Sequence, residues 1–326
     1  MLGVTGDLDS AESAAITNGA AGSVILMGNT TGGVAATKAR TQAIAKLAGP
    51  SGMLIAVDQE GGTVQRLKGP GFDTMPSARE QAKLPASELA AEAKRWGGQL
   101  AEAGVQLALA PVADVVPADR ASTNEPIGKL GRGYGSTPEA VAGHVVAFIT
   151  GMDAAGVATS PKHFPNLGRV VGNTDFVSKV VDDETTRDDP ALEPYRQAIE
   201  AGVETVMVAT AFYTKIDPDA PAAFSRAVVG ILRDDLGFDG VIVSDDLGVA
   251  KAVASVPASE RAVRFVRAGG DLAISVDPVA GVRMIEGLTS AAERDPEFAA
   301  RVTESSARVL GLKAARGLTT CDAVVG

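Results

Sequence analysis

Short apolar runs alternate along the chain with longer, alanine-rich amphipathic segments. This alternation predicts βα units whose strands pair in parallel. Eight runs have the length and composition of buried strands, at residues 1–4, 23–27, 54–57, 106–110, 158–160, 205–209, 240–243 and 271–276. The segments between most of them have the pattern of helices, as at residues 87–104, 137–156 and 191–201. The chain therefore predicts a repeated strand–helix architecture.

Eight such units favour one closed barrel over an open, doubly wound sheet. No Gly-x-Gly-x-x-Gly follows the first strand, which argues against a dinucleotide-binding fold. No Pro/Ser-rich linker divides the chain, and a last helix near residues 304–315, followed by Gly317, closes it. We predict an α/β protein with a single (β/α)8 TIM-type barrel domain over residues 1–326.

Composition narrows the classes of partner. Hydrophobic residues make up 45% of the 326 residues and aromatic residues only 4%, so the core must be large and aliphatic. A net charge of −10 would repel a phosphate backbone, which excludes nucleic acid as a partner. No apolar run is long enough to span a membrane. The single cysteine, Cys321, cannot form an intrachain disulfide and does not indicate a compartment.

Polar side chains stand at four points where predicted strands end. The segments are Asp58-Gln59-Glu60, Asp114, Lys162-His163 and Asp245-Asp246. Because the carboxyl ends of barrel strands converge on one face, we expect these side chains to meet there. Any one of them could instead cap a helix or pair with a neighbour. Four groups at equivalent strand ends indicate a functional site, since a charge there loses hydration unless it is paired or used.

The residue types predict the chemistry of this site. Carboxylates predominate, together with one lysine, one histidine and two arginines in nearby loops, Arg66 and Arg132. No His/Cys/Asp cluster has zinc spacing and no glycine-rich phosphate loop is present, so we predict neither a metal nor a cofactor. Carboxylates accept hydrogen bonds from sugar hydroxyls, and two carboxylates flanking a glycosidic bond are typical of glycosidases. The site therefore predicts an enzyme that acts on carbohydrate.

At these residues the sequence resembles the β-N-acetylglucosaminidases of glycoside hydrolase family 3, in particular a single-domain, actinobacterial-type branch. The shared motifs cover nearly the whole chain: Val57-Asp58-Gln59-Glu60-Gly61-Gly62, Val64-Gln65-Arg66, Ala110-Pro111-Val112-Ala113-Asp114-Val115, Ile127-Gly128, Arg132-Gly133-Tyr134-Gly135, Lys162-His163-Phe164-Pro165 and Leu236-Gly237-Phe238-Asp239-Gly240-Val241-Ile242-Val243-Ser244-Asp245-Asp246-Leu247. The resemblance implies a retaining mechanism through a covalent glycosyl-aspartate, with Asp245 as the nucleophile. It implies sugar-binding roles for Asp58, Arg66, Arg132, Lys162 and His163. We interpret Asp246 as a hydrogen-bonding or capping neighbour of the next helix.

The loop after Lys-His-Phe-Pro departs from the family pattern, in which an aspartate there holds a histidine that acts as general acid/base. Here Asn173 stands at the aspartate position and Asp175 at the histidine position. The chain has two histidines; His144 lies in a predicted helix and His163 in the sugar-binding motif. One interpretation is that Asp175 is the acid/base, with a pKa raised by burial or by Asp245 and with Asn173 orienting it. The other is that the acid/base has been lost, leaving a sugar-binding barrel or an impaired hydrolase.

Two smaller departures concern contacts with the substrate. The spacing from Ile127-Gly128 to Arg132 is longer than the commonest family form, and Thr210 stands where the family often has a histidine. Both bear on how the sugar is held rather than on the nucleophile.

The resemblance implies a substrate with a terminal β-linked N-acetylglucosamine, from peptidoglycan fragments or chitin-type saccharides. A β-glucosidase of the same family is an alternative, although those enzymes usually carry additional domains. A phosphate-binding metabolic barrel is a third class, and no glycine-rich segment after the seventh or eighth strand supports it. The chain opens abruptly at Met1, which leaves room for a leader; we favour an extracytoplasmic location, with a cytoplasmic one as the alternative. We expect a monomer or a weak oligomer.

Overall fold

Eight parallel strands form at the positions that the apolar runs predict. The computed structural model describes residues 1–6, 8, 10–18 and 21–319, so that Cys321 lies outside the described residues. The strands are Leu2–Thr5 (β1), Ser23–Met27 (β2), Leu54–Val57 (β3), Leu107–Ala108 (β4), Ala158–Thr159 (β5), Thr205–Val208 (β6), Val241–Asp246 (β7) and Leu272–Ile274 (β8). The predicted strand order is confirmed, with ends that differ by a few residues.

The strands are arranged as two parallel sheets. One sheet has the order β1-β2-β3-β4-β5, and the other has the order β6-β7-β8. The sheets meet at two seams, where isolated parallel bridges join Leu2 to Ser275 and Phe164 to Val208. The α/β, TIM-barrel-like architecture is thus confirmed, but the eight strands are not hydrogen-bonded as one continuous sheet.

The seam after β5 has a simple physical cause. Pro161 and Pro165 flank the segment that faces β6, and proline has no amide hydrogen to donate to a ladder. Between them, Phe164 donates its amide to the carbonyl of Met207 at 2.8 Å and accepts from the amide of Ala209 at 2.8 Å. The segment is therefore held beside β6 by isolated bonds rather than by a regular ladder.

Helices follow the strands as predicted. Their bounds are Ser10–Asn18 (α1), Gly33–Ala45 (α2), Ala78–Gln81 (α3), Ala86–Glu102 (α4), Pro138–Asp153 (α5), Glu193–Glu200 (α6), Arg226–Gly230 (α7), Ala258–Ala268 (α8), Pro278–Arg294 (α9) and Pro296–Ala315 (α10). The side chain of Thr137 caps α5 and that of Asp277 caps α9, in each case before a proline in the first turn. The last helix starts eight residues before the predicted one, where Asp295 caps it at Pro296. No helix within residues 1–6, 8, 10–18 and 21–319 is long and apolar enough to cross a membrane.

Short strands occupy the loops beyond the strand ends. Gln59–Gly61 pairs with Val64–Gln65 as a hairpin, and Val181–Asp182, Phe212–Tyr213 and Asp217–Pro221 form a small three-stranded sheet. The turn of the hairpin needs glycine, because Gly61 and Gly62 have φ of 101° and 56°. A Cβ on Gly61 would also lie 2.2 Å from the carbonyl oxygen of Pro76. This turn leads the chain from Asp58 back towards Arg66.

Alternate residues of each strand pack into two separate cores. Ile25, Leu54 and Val243 belong to the smaller cluster, which fills the space enclosed by the strands. Val24, Ile55 and other neighbours in sequence belong to the larger cluster between strands and helices. Burial on both faces explains why the strands appear in the sequence as continuous apolar runs.

A buried carboxylate fastens the last helix to the strands at their amino-terminal ends. Asp271, which immediately precedes β8, has no exposed side-chain surface and accepts bonds from Arg233 at 2.7 Å, Arg301 at 2.9 Å and Arg308 at 3.2 Å. Since Arg301 and Arg308 belong to α10, this cluster holds the helix against the sheet from the end opposite to the predicted site.

Candidate active site

The carboxyl ends of the strands surround one cavity of about 430 Å³. This volume suits a single small ligand. Its wall contains every residue to which the sequence assigned a catalytic or sugar-binding role: Asp58, Arg66, Arg132, Lys162, His163, Asn173, Asp175 and Asp245. The prediction that the polar strand ends converge is confirmed by this placement. The role of each residue remains a prediction.

An alternating network of charges forms one part of the wall. The ammonium of Lys162 lies 2.6 Å from a carboxylate oxygen of Asp58 and 2.7 Å from one of Glu60. Glu60 also accepts two bonds from the guanidinium of Arg132, each at 2.8 Å. Each charge therefore has an opposite charge beside it, as burial requires.

Opposite charges in the network keep Glu60 and Lys162 ionised. Burial would raise the pKa of Glu60, but Arg132 and Lys162 hold it far below its usual range. Burial would lower the pKa of Lys162, whereas Asp58 and Glu60 raise it above its ordinary value. The cavity wall therefore contains charged hydrogen-bond donors and acceptors held in fixed positions.

All three guanidinium nitrogens of Arg132 donate hydrogen bonds to other protein groups. Besides the two bonds to Glu60, its Nη1 donates to the carbonyl of Pro126 at 2.7 Å. Arg66 differs, because its Nε is buried and has no hydrogen-bond partner among the described residues. Its backbone amide donates to the side chain of Gln59 at 3.0 Å, which anchors the hairpin. Nε of Arg66 therefore lacks the internal partner that Nε of Arg132 has in Glu60.

His163 is oriented by Asp114. The Nδ1 atom of His163 lies 2.8 Å from Oδ2 of Asp114, and its backbone amide donates to Oδ1 at 3.2 Å. Oδ1 also accepts the amide of Leu167 at 2.6 Å. Because an ionised carboxylate can only accept, Nδ1 carries the hydrogen, which leaves Nε2 as the atom available to a ligand.

Asp245 and Asp246 have different environments although they are adjacent. Oδ1 of Asp245 accepts the amide of Asp246 at 2.8 Å, and no other hydrogen bond to its carboxylate is found in the described part of the chain. The carboxylate of Asp246 accepts four backbone amides, from Gly248, Val249, Ala250 and Val276. Asp246 therefore organises the following loop, which confirms its interpretation as a hydrogen-bonding neighbour, and Asp245 retains a free oxygen.

The loop that carries Asn173 and Asp175, whose sequence differs from the family pattern, forms part of the rim of the cavity. The side chain of Asn173 accepts the backbone amide of Asp175 at 2.9 Å, a turn typical of asparagine. Asn173 therefore bonds the backbone of Asp175 and not its carboxyl group, and its orienting role in catalysis stays a prediction. The carbonyl of Thr174 accepts the amide of Ala252 at 3.1 Å, and that of Asp175 accepts the amide of Lys251 at 3.4 Å. The loop is therefore tied to the segment that follows β7.

The two candidate catalytic carboxyls influence each other. Reduced solvation at the rim, together with the charge of Asp245, raises the pKa of Asp175 to about 6. Burial also raises the pKa of Asp245, while His163, the amide of Asp246 and Lys162 oppose that rise. A carboxyl that titrates near pH 6 beside a second carboxyl is suited to proton transfer at neutral pH.

Two residues that bond to the candidate site residues are assigned no role by the sequence. Glu60 and Asp114 stand at strand ends within the motifs, but nothing in the sequence shows that they bind Arg132 and His163, from which 72 and 49 positions separate them. The signals that the sequence offers are their place after a buried strand and within these motifs. Thr210 is fully buried, its hydroxyl has no partner among the described residues, and it does not line the cavity.

His144 is excluded from the site. It lies within α5, where its Nδ1 is 2.7 Å from the carbonyl of Ala140 and its ring stacks on Tyr134 at 5.7 Å. Across residues 1–6, 8, 10–18 and 21–319, no group of three or more His, Cys, Asp or Glu side chains could hold a metal ion.

Known proteins resemble the chain over most of its length. The family described as "Glycosyl hydrolase family 3 N terminal domain" matches residues 1–312. A solved β-N-acetylhexosaminidase from Beutenbergia cavernae is 43% identical, with a TM-score of 0.94 over 97% of this chain and 96% of that one. A β-hexosaminidase of Tolumonas auensis is 35% identical over 88% of this chain and 86% of its own. A β-hexosaminidase of Stenotrophomonas maltophilia is 35% identical over 72% of this chain and 70% of its own. The agreement between this family match and the carboxylate-rich cavity at the strand ends identifies the chain as a member of glycosyl hydrolase family 3 and as a glycoside hydrolase.

Proposed function

We propose that the chain is a retaining exo-β-N-acetylglucosaminidase that releases terminal β-linked N-acetylglucosamine. The observation that carries the proposal is the pair of interacting carboxyls, Asp175 and Asp245, in one cavity with a charged floor. The similarity to β-hexosaminidases supports the sugar specificity. Peptidoglycan fragments and chitin-type saccharides are the proposed natural substrates. We further infer that residues 1–326 act as a single domain, with the two sheets working as one barrel.

Each carboxyl has a distinct role in the proposed mechanism. The free oxygen of Asp245 attacks the anomeric carbon, and the bond from that carbon to the glycosidic oxygen breaks. Asp175 donates its proton to the departing oxygen, and a glycosyl-aspartate remains. Water then attacks the same carbon, gives its proton to Asp175 and releases Asp245. Two inversions at the anomeric carbon leave its configuration unchanged.

The remaining wall residues position the sugar. Asp58 can accept hydrogen bonds from hydroxyls, while Lys162, Arg66 and the unused hydrogens of Arg132 can donate to hydroxyl or acetamido oxygens. Nε2 is the ring nitrogen of His163 that can bond to the sugar, because Nδ1 is bonded to Asp114. Fixed donors and acceptors of this kind orient a substrate without reorganisation when the reaction occurs.

Hydrolysis of p-nitrophenyl β-N-acetylglucosaminide, compared with that of the β-glucoside, tests the proposed activity. We expect turnover of the acetamido sugar, its abolition in Asp245→Ala, and a mass adduct on Asp245 after treatment with a 5-fluoro analogue that slows deglycosylation. Binding of N-acetylglucosamine without turnover would instead establish a sugar-binding barrel. Preferred turnover of the glucoside would establish a β-glucosidase.

A further inference from the structure

The mouth of the cavity carries exposed apolar side chains above the charged floor. Phe176 is 79% exposed, Val249 56% and Leu130 42%, and all three line the same cavity as Asp245. Phe176 is the most exposed large hydrophobic side chain in the described part of the chain. Solvent-exposed apolar side chains that cluster at the edge of a ligand cavity indicate a surface that the ligand covers.

The position of Phe176 in the chain places it beside the leaving group. It directly follows Asp175, and its amide donates to the carbonyl of Asn173 at 3.1 Å, within the turn that also fixes Asp175. The proposed proton donor must lie at the glycosidic oxygen, which joins the terminal sugar to the remainder of the substrate. A side chain next to that donor on the outer rim is therefore near the remainder and not near the terminal sugar.

The division of polarity within the cavity agrees with this direction. The charged network of Asp58, Glu60, Arg132 and Lys162 suits the hydroxyls of a terminal sugar held deep in the cavity. The apolar rim cannot replace hydrogen bonds that hydroxyls make with water, but it can cover the C–H face of a ring. A pyranose ring exposes such a face, and an aromatic side chain offers a flat surface that matches it.

We propose that Phe176, together with Val249, binds the aglycone sugar, which is the second pyranose of a β-linked saccharide. The inference rests on the proposed function, because it takes the terminal N-acetylglucosamine to lie on the charged floor. Phe176 then contributes to specificity for saccharides over glycosides with small aglycones. It has no part in binding the terminal sugar.

The test compares N,N′-diacetylchitobiose with methyl β-N-acetylglucosaminide, which lacks a second ring. In Phe176→Ala we expect kcat/KM for the disaccharide to fall about tenfold, which is the range of a lost ring contact, and kcat/KM for the methyl glycoside to stay within about twofold. Phe176→Trp should retain the wild-type preference. Val171→Ala is the matched control, because Val171 is an exposed apolar residue of the same loop, 64% exposed, outside the cavity wall.

The possible outcomes separate the two proposals. An equal loss of kcat/KM with both substrates in Phe176→Ala would show that Phe176 only orders Asp175. No loss of kcat/KM with either substrate would show that Phe176 does not contact the aglycone. Either result overturns the inference and leaves the proposed function standing. A wild-type protein that hydrolyses neither substrate would overturn the proposed function and this inference together. A selective loss for the disaccharide in Phe176→Ala, absent in Val171→Ala, supports the inference.

Discussion

Asp175→Asn tests whether Asp175 is the general acid/base. The substitution keeps the size of the side chain and the backbone bond from Asn173, but it removes the proton that Asp175 exchanges. Loss of a positioned general acid lowers the rate by about 10²- to 10⁴-fold, equivalent to about 3–5 kcal/mol of barrier. We expect that loss in kcat/KM for chitobiose, whose alkoxide leaving group needs the proton.

The pKa of Asp175 sets the pH dependence. With a pKa of about 6, roughly nine-tenths of Asp175 carboxyls are protonated at pH 5 and roughly one-tenth at pH 7. Because the protonated form is the active one in glycosylation, kcat/KM of the wild type for chitobiose should fall as the pH rises through 6, approaching about tenfold per pH unit above pH 7. A second fall is expected at low pH, where Asp245 becomes protonated and can no longer attack.

The assay pairs chitobiose with a 2,4-dinitrophenyl β-N-acetylglucosaminide across pH 4 to 9. Dinitrophenolate leaves without a proton, so kcat/KM for this substrate should change less than about tenfold in Asp175→Asn. The kcat of the same variant should fall, because Asp175 is the proposed base for hydrolysis of the glycosyl-aspartate. Added azide, which attacks that intermediate without a base, should restore kcat and give a β-glycosyl azide as product. Asp183→Asn, at an exposed carboxylate outside the cavity wall, is the control.

Two results would refute the reasoning. An equal loss with both substrates would mean that Asp175 acts through folding or binding rather than by proton transfer. Persistence of the fall above pH 6 in Asp175→Asn would mean that another group, such as His163, is responsible for it.

Three further predictions concern residues that support the site or the fold. In Asp114→Asn the amide oxygen stays with the backbone amides of His163 and Leu167, so an NH2 group replaces the acceptor for Nδ1 of His163. The histidine should therefore change tautomer, visible in its ¹⁵N shifts, and kcat/KM should fall about tenfold or more. Unchanged kinetics with an altered tautomer would show that His163 does not contact the substrate. Glu60→Gln leaves the buried cations Arg132 and Lys162 under-compensated, and we expect about 3 kcal/mol less stability in urea unfolding together with lost activity. Asp271→Asn should cause a similar loss of stability but normal kcat per folded molecule, and a fall in that kcat would contradict the separation of the two clusters.

The sequence by itself determined the α/β, TIM-barrel-like arrangement of strands and helices and located the candidate residues. Strands buried on both faces must be apolar along their length, so the eight runs were visible without any tertiary information. The end of such a strand is equally visible in the sequence. Because parallel strands present their carboxyl ends on one face, the pattern predicts that Asp58, Lys162, His163 and Asp245 lie on that face. The Asn-Thr-Asp loop could be located because it follows a recognisable motif.

Only the tertiary structure decided which of these groups face one another. The contacts of Glu60 with Arg132 and of Asp114 with His163 join distant positions, and their geometry depends on how the loops pack rather than on local pattern. The same holds for the pKa of Asp175, which is raised by its surroundings and by Asp245, seventy positions later in the chain. Electrostatic and hydrogen-bond energies vary steeply with distance, so a sequence can name the groups of a site but cannot set their protonation.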